Sequence, residues 1–228
     1  MKFVHGDLSG EIVNEQKECV EWIIEAPELF AKYVGELYRQ INKSEGKFVL
    51  SENKLSENNK EIDIAKHSEI IINPLSVEIN NKKIVNKLYE ELNKLSSNEV
   101  LYMQTLELTK LIQGYLLNLE QETNYILEFN NEVEMSALFK AVDLKYEDSE
   151  EDFLERLVKY IKTLGNLLSI KLVIFINARC FMNDEKIRRL CEEIKYMEIK
   201  GLFIENSEKA CVEGMERYII DKDRCEIY

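Results

Sequence analysis

The stretch 167–205, LLSIKLVIFINARCFMNDEKIRRLCEEIKYMEIKGLFIE, constrains the fold more than any other part of the chain. It opens on Leu172-Val173-Ile174-Phe175-Ile176, an apolar run rich in β-branched and aromatic residues and too short to cross a membrane. Such a run predicts a strand buried on both faces, as in parallel sheets. Asn183 stands where a helix N-cap belongs, with Asp184 and Glu185 placed at the positive end of the helix dipole. Ile187, Leu190, Cys191, Ile194 and Met197 then recur at helical spacing. Gly201-Leu202-Phe203-Ile204 supplies a second short strand. Strand, helix and strand in this order predict a right-handed βαβ crossover in an α/β layer.

The N-terminal part alternates in the same way. Phe3-Val4, Ile12-Val13 and Val20 through Ile24 read as strands, with Gly6-Asp7 and Ser9-Gly10 supplying turns between the first two. Pro27 falls in the first turn of a helix, where its missing N–H costs nothing. Leu29, Phe30, Tyr33, Val34, Leu37, Tyr38 and Ile41 give that helix an apolar stripe, and Phe48-Val49-Leu50 begins another strand. The polar stretch 51–60, SENKLSENNK, predicts a surface loop or a hinge. Ile70-Ile71-Ile72 and Val77-Glu78-Ile79 are strand-like, with Pro74 breaking any continuity between them. Near the end, Tyr218-Ile219-Ile220 predicts a last turn or helix, and Cys225 to Tyr228 an edge strand.

From Lys82 to Gly165 the periodicity is helical throughout. Ile84, Val85, Leu88, Tyr89, Leu92 and Leu95 mark one helix. Leu101 to Gln121 marks the longest, Val133 to Val142 a short one, and Asp152 to Leu164 an amphipathic one. The expected architecture is therefore α/β. A head with a central, mostly parallel sheet is built from residues 1–80 and 166–228, and an all-helical extension from 81–165. Antiparallel helices that project from a head need a partner to cover their apolar stripe.

Composition narrows the function classes. Net charge is −13, which argues against a general nucleic-acid coat protein, although 30 Lys and Arg remain to be gathered on one inner surface. Neither an N-terminal apolar segment nor a run long enough for a membrane span is present, so a cytoplasmic protein is expected, with no membrane partner. The 5 cysteines are scattered without a CxxC pair and only 2 histidines accompany them, which disfavours zinc. Reduced, mostly buried thiols are expected.

Phosphate chemistry needs a strand, a GxxxxGK loop closed by Ser or Thr, and a helix. The link before the first helix, Ile23-Ile24-Glu25-Ala26-Pro27, has no glycine, and Gly6 and Gly10 are followed by no such lysine. Standard nucleotide hydrolysis is not expected. His5 and His67 are isolated and read as surface or capping residues rather than bases. Glu120, Glu122, Glu128, Glu132 and Glu134 gather around a turn with Asn124, Asn130 and Asn131. Such oxygen-rich irregular backbone suits a hard cation such as calcium, while a solvated helix end is the plainer reading of the composition. Arg156, Lys159 and Lys162 fall opposite the apolar stripe of their helix, and Lys140 and Lys145 flank the short one. Symmetric copies that pooled such faces could hold phosphates despite the negative total.

Several segments together resemble one family. LVIFINARCFMNDEKIRRLCEEIKYMEIKGLFIE, followed by RYIIDKDRCEIY, is similar to the Csn-two family of CRISPR-associated spacer-acquisition proteins of type II-A loci. The likeness rests on Phe175-Ile176-Asn177 and Phe203-Ile204-Glu205 at the two strand ends. HSEIIINPLSVEINNKKIVNKLYEEL and LEFNNEVEMSALFKAVDLKYE extend it backwards, collinear over nearly the whole chain. The resemblance implies a head like nucleotide-hydrolase folds but without a working phosphate loop, binding no nucleotide, and a helical extension. It implies a ring-shaped homotetramer that holds the ends of linear double-stranded DNA on lysines and arginines of its inner wall. It also implies structural calcium on acidic residues, and partnership with the integrase proteins and RNA-guided effector nuclease of the locus, with no reaction catalysed. By position, Glu128 and Glu132 fall on the family's acidic turn, Glu120 and Glu122 just before it, and Lys140 on a lysine of the next helix. Asn130 replaces an acid common there, and the turn is one residue longer. A divergent nucleotide hydrolase and a protein-only scaffold are the alternatives.

Overall fold

The computed structural model describes residues 1–42, 45–52, 60–147 and 152–228. In chain order these form β1 (Lys2–His5), β2 (Cys19–Ile24), α1 (Pro27–Ile41), β3 (Phe48–Glu52), β4 (Lys60–Ile62), α2 (Ile64–His67) and β5 (Ser68–Ile71). Then come α3 (Lys82–Ser96), α4 (Tyr102–Gln121), α5 (Met135–Ala141) and α6 (Phe153–Leu168). The chain ends with β6 (Leu172–Ile176), α7 (Asp184–Tyr196), β7 (Lys200–Glu205), β8 (Glu216–Ile220) and β9 (Glu226–Ile227). Most of the polar stretch expected as a loop or hinge lies outside the described residues.

The chain divides into two compact units, Met1–Ile79 with Ser149–Tyr228, and Asn80–Asp148. The first holds a six-stranded sheet in the order β5-β6-β7-β2-β8-β9. Its pairings are parallel except for the antiparallel edge strand β9. The βαβ unit appears as β6, α7 and β7, and every residue of β6 is buried. Asn183 caps α7, its Oδ1 accepting the Lys186 N–H at 3.0 Å. One sheet face carries Val20, Trp22, Ile24, Ile174, Leu202 and Tyr218 into a core shared with Phe3, Leu37 and Phe48. On the other, the rings of Phe175 and Phe203 stack at 4.6 Å.

The N-terminal strand pieces pair in a manner that periodicity does not specify. β1, β3 and β4 form a separate antiparallel sheet, and the Ile12-Val13 piece contributes only an isolated bridge from Val13 to Phe3. Val77-Glu78-Ile79 is no strand, because Pro74 starts a 3-10 turn with Asn73 accepting the Leu75 N–H. Tyr218-Ile219-Ile220 belongs to β8 rather than to a turn or helix, since β2 offers it a parallel partner. The unit that holds the sheet also takes in α6, which the helical periodicity alone groups with 81–165. Leu154, Leu157, Ile161 and Leu164 are buried there, and α6 packs on α7.

In the second unit α3 packs on α5. Asn81 caps α3, and the Tyr89 hydroxyl donates to the Leu144 carbonyl at 2.8 Å. No residue of α4 is buried.

Candidate nucleic-acid interface

α6 shows how an amphipathic helix sorts its charges. Leu154, Leu157, Ile161 and Leu164 form a buried stripe at helical spacing, with Tyr160 and Thr163 buried beside it. Arg156 and Lys162 are exposed and Lys159 half-buried, spaced three apart on the side away from that stripe. Glu155 sits beside them and reaches Arg189 of α7 at 3.8 Å. Lys162 also lines a cavity of about 500 Å³ with Val158, Ile170 and Tyr196. The exposed side of α6 is therefore net cationic within an anionic chain.

Lys140 and Lys145 lie in the other unit. Lys140 is exposed in the last turn of α5, where a cation complements the negative end of the dipole. The ammonium of Lys145 lies 2.7 Å from an Asp143 carboxylate oxygen, which offsets its charge locally. Asp143 takes the left-handed conformation that turns the chain out of α5.

The acidic residues sit at the end of α4 and in the irregular segment after it. Glu120 spends one carboxylate oxygen on the Leu127 N–H at 3.2 Å, and Glu122 is the C-cap of α4. Glu128 and Glu132 are exposed. Among the described residues no three His, Cys, Asp or Glu side chains converge as a metal site. The four carboxylates of one chain thus do not by themselves fit calcium, which takes several oxygens at once.

Where a phosphate loop would stand, β2 passes into α1 through Glu25 and Ala26 alone. The Glu25 N–H is already used by the Ile220 carbonyl at 2.9 Å. His5 proves to be a core residue rather than a surface one: it is 2% exposed, and its ring lies edge-on to Tyr33 and Phe48. The Asp7 N–H donates to its Nδ1 at 3.1 Å, which leaves Nε2 to face Glu36 at 3.3 Å. Cys19 and Cys191 are buried, whereas Cys180, Cys211 and Cys225 are exposed, against the expectation of mostly buried thiols. Exposed thiols need no apolar pocket when they sit in polar loops.

A buried ion network is the feature that periodicity conceals. Glu21, fully buried in the middle of β2, receives Arg179 Nη1 at 2.7 Å and Arg217 Nε at 2.9 Å on its two oxygens. Arg179 also bonds Asp184 and donates to the Ala210 carbonyl at 2.9 Å. Burial opposes its charge, and the carboxylates of Glu21 and Asp184 outweigh that and hold its proton more tightly. Glu205 accepts the Arg179 backbone N–H at 3.1 Å, and burial raises its carboxyl above the ordinary range. A glutamate inside the otherwise apolar strand CVEWII was the available signal, since a buried charge demands a partner. The network ties β2, β7, β8 and the segment after β7 together. It leaves the guanidiniums facing carboxylates and carbonyls rather than a ligand.

Comparison with known proteins follows the same lines. The family described as CRISPR-associated protein (Cas_Csn2) matches residues 40–224. A CRISPR-associated protein Csn2 of Streptococcus agalactiae is 26% identical over 116 residues, covering 51% of this chain and 49% of the relative. One of Enterococcus faecalis is 24% identical over 163 residues, covering 72% of this chain and 65% of the relative. The aligned stretches thus span about half to about two thirds of these relatives. With the family match extending over most of its length, the chain belongs to the Csn2 family of CRISPR-associated proteins.

Proposed function

We propose that the chain is a non-catalytic, ring-forming homotetramer that holds the ends of linear double-stranded DNA during CRISPR spacer acquisition. The observation that carries this reading is α4. None of its residues is fully buried, and Leu108, Leu111, Tyr115 and Leu119 form a narrow stripe on one side of it, 38–71% exposed. An apolar stripe of that length in water calls for a protein surface to cover it, and a second copy of the chain answers that need. Assembly would in turn multiply the cationic side of α6, so that Arg156, Lys159 and Lys162 act from several copies on one duplex. Lys140 and Lys145 are weaker members of the set, Lys145 because of its Asp143 partner.

In this reading the sheet-bearing unit is a relative of nucleotide-hydrolase folds that no longer handles nucleotide. The two-residue passage from β2 to α1 supports that, since no glycine-rich backbone is available to cradle phosphates. The protein would work in the cytoplasm with the integrase proteins and the effector nuclease of its locus. Calcium enters only as an arm of the test, because the carboxylates Glu120, Glu122, Glu128 and Glu132 do not converge within one chain.

The test is solution mass and DNA retention on the full chain, with and without calcium. The expected result is a particle of about four chain masses that retains linear duplex and releases covalently closed circles. Retention should fall steeply with salt as phosphate contacts release counterions. A monomer that ignores linear DNA at low salt overturns the proposal. The exposed stripe of α4 equally favours a protein-only scaffold. An assembled particle that ignores every form of DNA would select that reading.

A further inference from the structure

In the parallel register of the sheet, Gly201 of β7 lies opposite Cys19 of β2. A Cβ built on Gly201 would stand 3.0 Å from Cys19 Sγ and 3.4 Å from Ile194 Cδ1. The glycine therefore provides the space in which the Cys19 thiol lies across β7 beneath α7. There it meets Cys191. Cys19 Sγ lies 4.0 Å from the Cys191 carbonyl oxygen. They are 172 positions apart in sequence, 2% and 8% exposed, and both free. A cavity of about 390 Å³ reaches them, lined also by Lys17, Arg188, Lys195 and Gly214. Two free cysteines brought side by side by separate elements, both lining one accessible cavity, form more than a packing pair.

We propose that Cys19 and Cys191 are a reversible dithiol–disulfide pair, oxidised by small hydroperoxides that enter through this cavity. A disulfide needs β-carbons within roughly 3.5–4.5 Å of each other, a spacing set by the backbones of β2 and α7, so the link forms as those two elements come that close. Cys191 is the more exposed of the two, and its sulfur attacks one oxygen of hydrogen peroxide. The O–O bond breaks, hydroxide leaves and takes up the thiol proton as water, and Cys191 becomes a sulfenic acid. The Cys19 sulfur then displaces the hydroxyl from that sulfenyl sulfur. An S–S bond forms, and the departing hydroxyl leaves with the Cys19 proton as a second water. Two thiols are oxidised by two electrons and one peroxide is reduced to two waters. The Cys191 side chain beside it and burial push the Cys19 thiol up, so it rests as a protonated thiol. The product would join β2 covalently to α7, and a thiol reductant would undo it.

The experiment uses the full-length chain, reduced and then exposed to hydrogen peroxide under native conditions, quenched in acid and alkylated at its remaining thiols. Peptide mapping without reduction should recover a Cys19–Cys191 linked pair as the main disulfide. The intact mass should be lower by two hydrogens before alkylation and be restored by reductant. Replacing the exposed Cys180, Cys211 and Cys225 with serine should leave the link in place, whereas Cys19→Ser should abolish it. The wild-type map decides the matter even where Cys19→Ser folds poorly. Recovery of Cys19 and Cys191 fully alkylated overturns the proposal. So does Cys191 found as sulfinic acid beside an unmodified Cys19, because that shows the two sulfurs cannot meet.

Discussion

The sheet-bearing unit and the helical unit solve the problem of apolar surface in opposite ways. In the first, β2 and β6 are buried at every residue, and α1, α6 and α7 each bury one stripe. Its apolar side chains meet one another within the chain. In the second, α4 presents Leu108, Leu111, Tyr115 and Leu119 to solvent while Leu106, Ile112 and Leu116 are half-buried, and Tyr125 and Ile126 beyond it are exposed as well. The difference teaches where stability resides and where apolar surface is left over. One unit closes a core by itself, and the other leaves an apolar stripe in water.

The sharpest way to break this comparison is to remove a partner from the buried charge network. Arg179→Met leaves Glu21 with Arg217 alone in a site without solvent, and should cost about 3–5 kcal/mol of stability, read by denaturant unfolding. A loss near zero would mean that the network is wetter than the geometry states.

Next comes a matched pair of truncations. Ile174→Ala in β6 should cost about 2–5 kcal/mol, while Leu111→Ala in α4 should change monomer stability by less than about 0.5 kcal/mol. If the two proved equal, α4 would be covered within the chain and the contrast would fail. Replacing Leu111 and Tyr115 together with glutamate should instead lower the solution mass of the assembly and leave the unfolding of the sheet-bearing unit unchanged.

A smaller effect concerns the two chain ends, which meet within the first unit. Glu226 accepts the Ser9 hydroxyl at 2.7 Å, the Ser9 N–H at 3.0 Å and the Tyr218 hydroxyl. Burial pushes its carboxyl up, but the hydrogen bonds from Ser9 and Tyr218 outweigh this and hold it below the ordinary glutamate range. A depressed carboxylate stabilises the fold above its unfolded value, and that contribution fades as pH falls through the folded value. Glu226→Gln should therefore cost about 1 kcal/mol near neutrality, with the gap to wild type narrowing in acid. A melting-temperature difference independent of pH would contradict this role for the carboxylate. Smallest of all is the charge reversal of Arg156 or Lys162. Either should lower the salt slope of DNA retention by about 1 for each phosphate the side chain no longer neutralises, with no change in unfolding.

The contrast between the units also separates what periodicity could reveal from what it could not. The β6–α7–β7 crossover was legible because a strand buried on both faces leaves an unbroken apolar run, and because Asn183 announces its helix. The end of the Ile70 strand before Pro74 was legible for a local steric reason. The placement of α6 was not, since an amphipathic stripe states that a helix is covered but not by what. Nor was the network of Glu21, Arg179 and Arg217, in which the arginines stand 158 and 196 positions from the glutamate. The carboxylates around Glu128 are close in sequence, yet sequence proximity along irregular backbone did not make them converge.

By itself the sequence determined an α/β protein with a helical insert, the lack of a GxxxxGK phosphate-loop motif, and membership of its family. Each of these depends on interactions between residues near one another in the chain, or on patterns repeated along it. Only the tertiary structure decided that β1, β3 and β4 form their own sheet, that Glu21 finds two arginines, and that Cys19 comes to lie beside Cys191. Those outcomes depend on long-range pairing, in which desolvation of the whole core selects partners that no local pattern names.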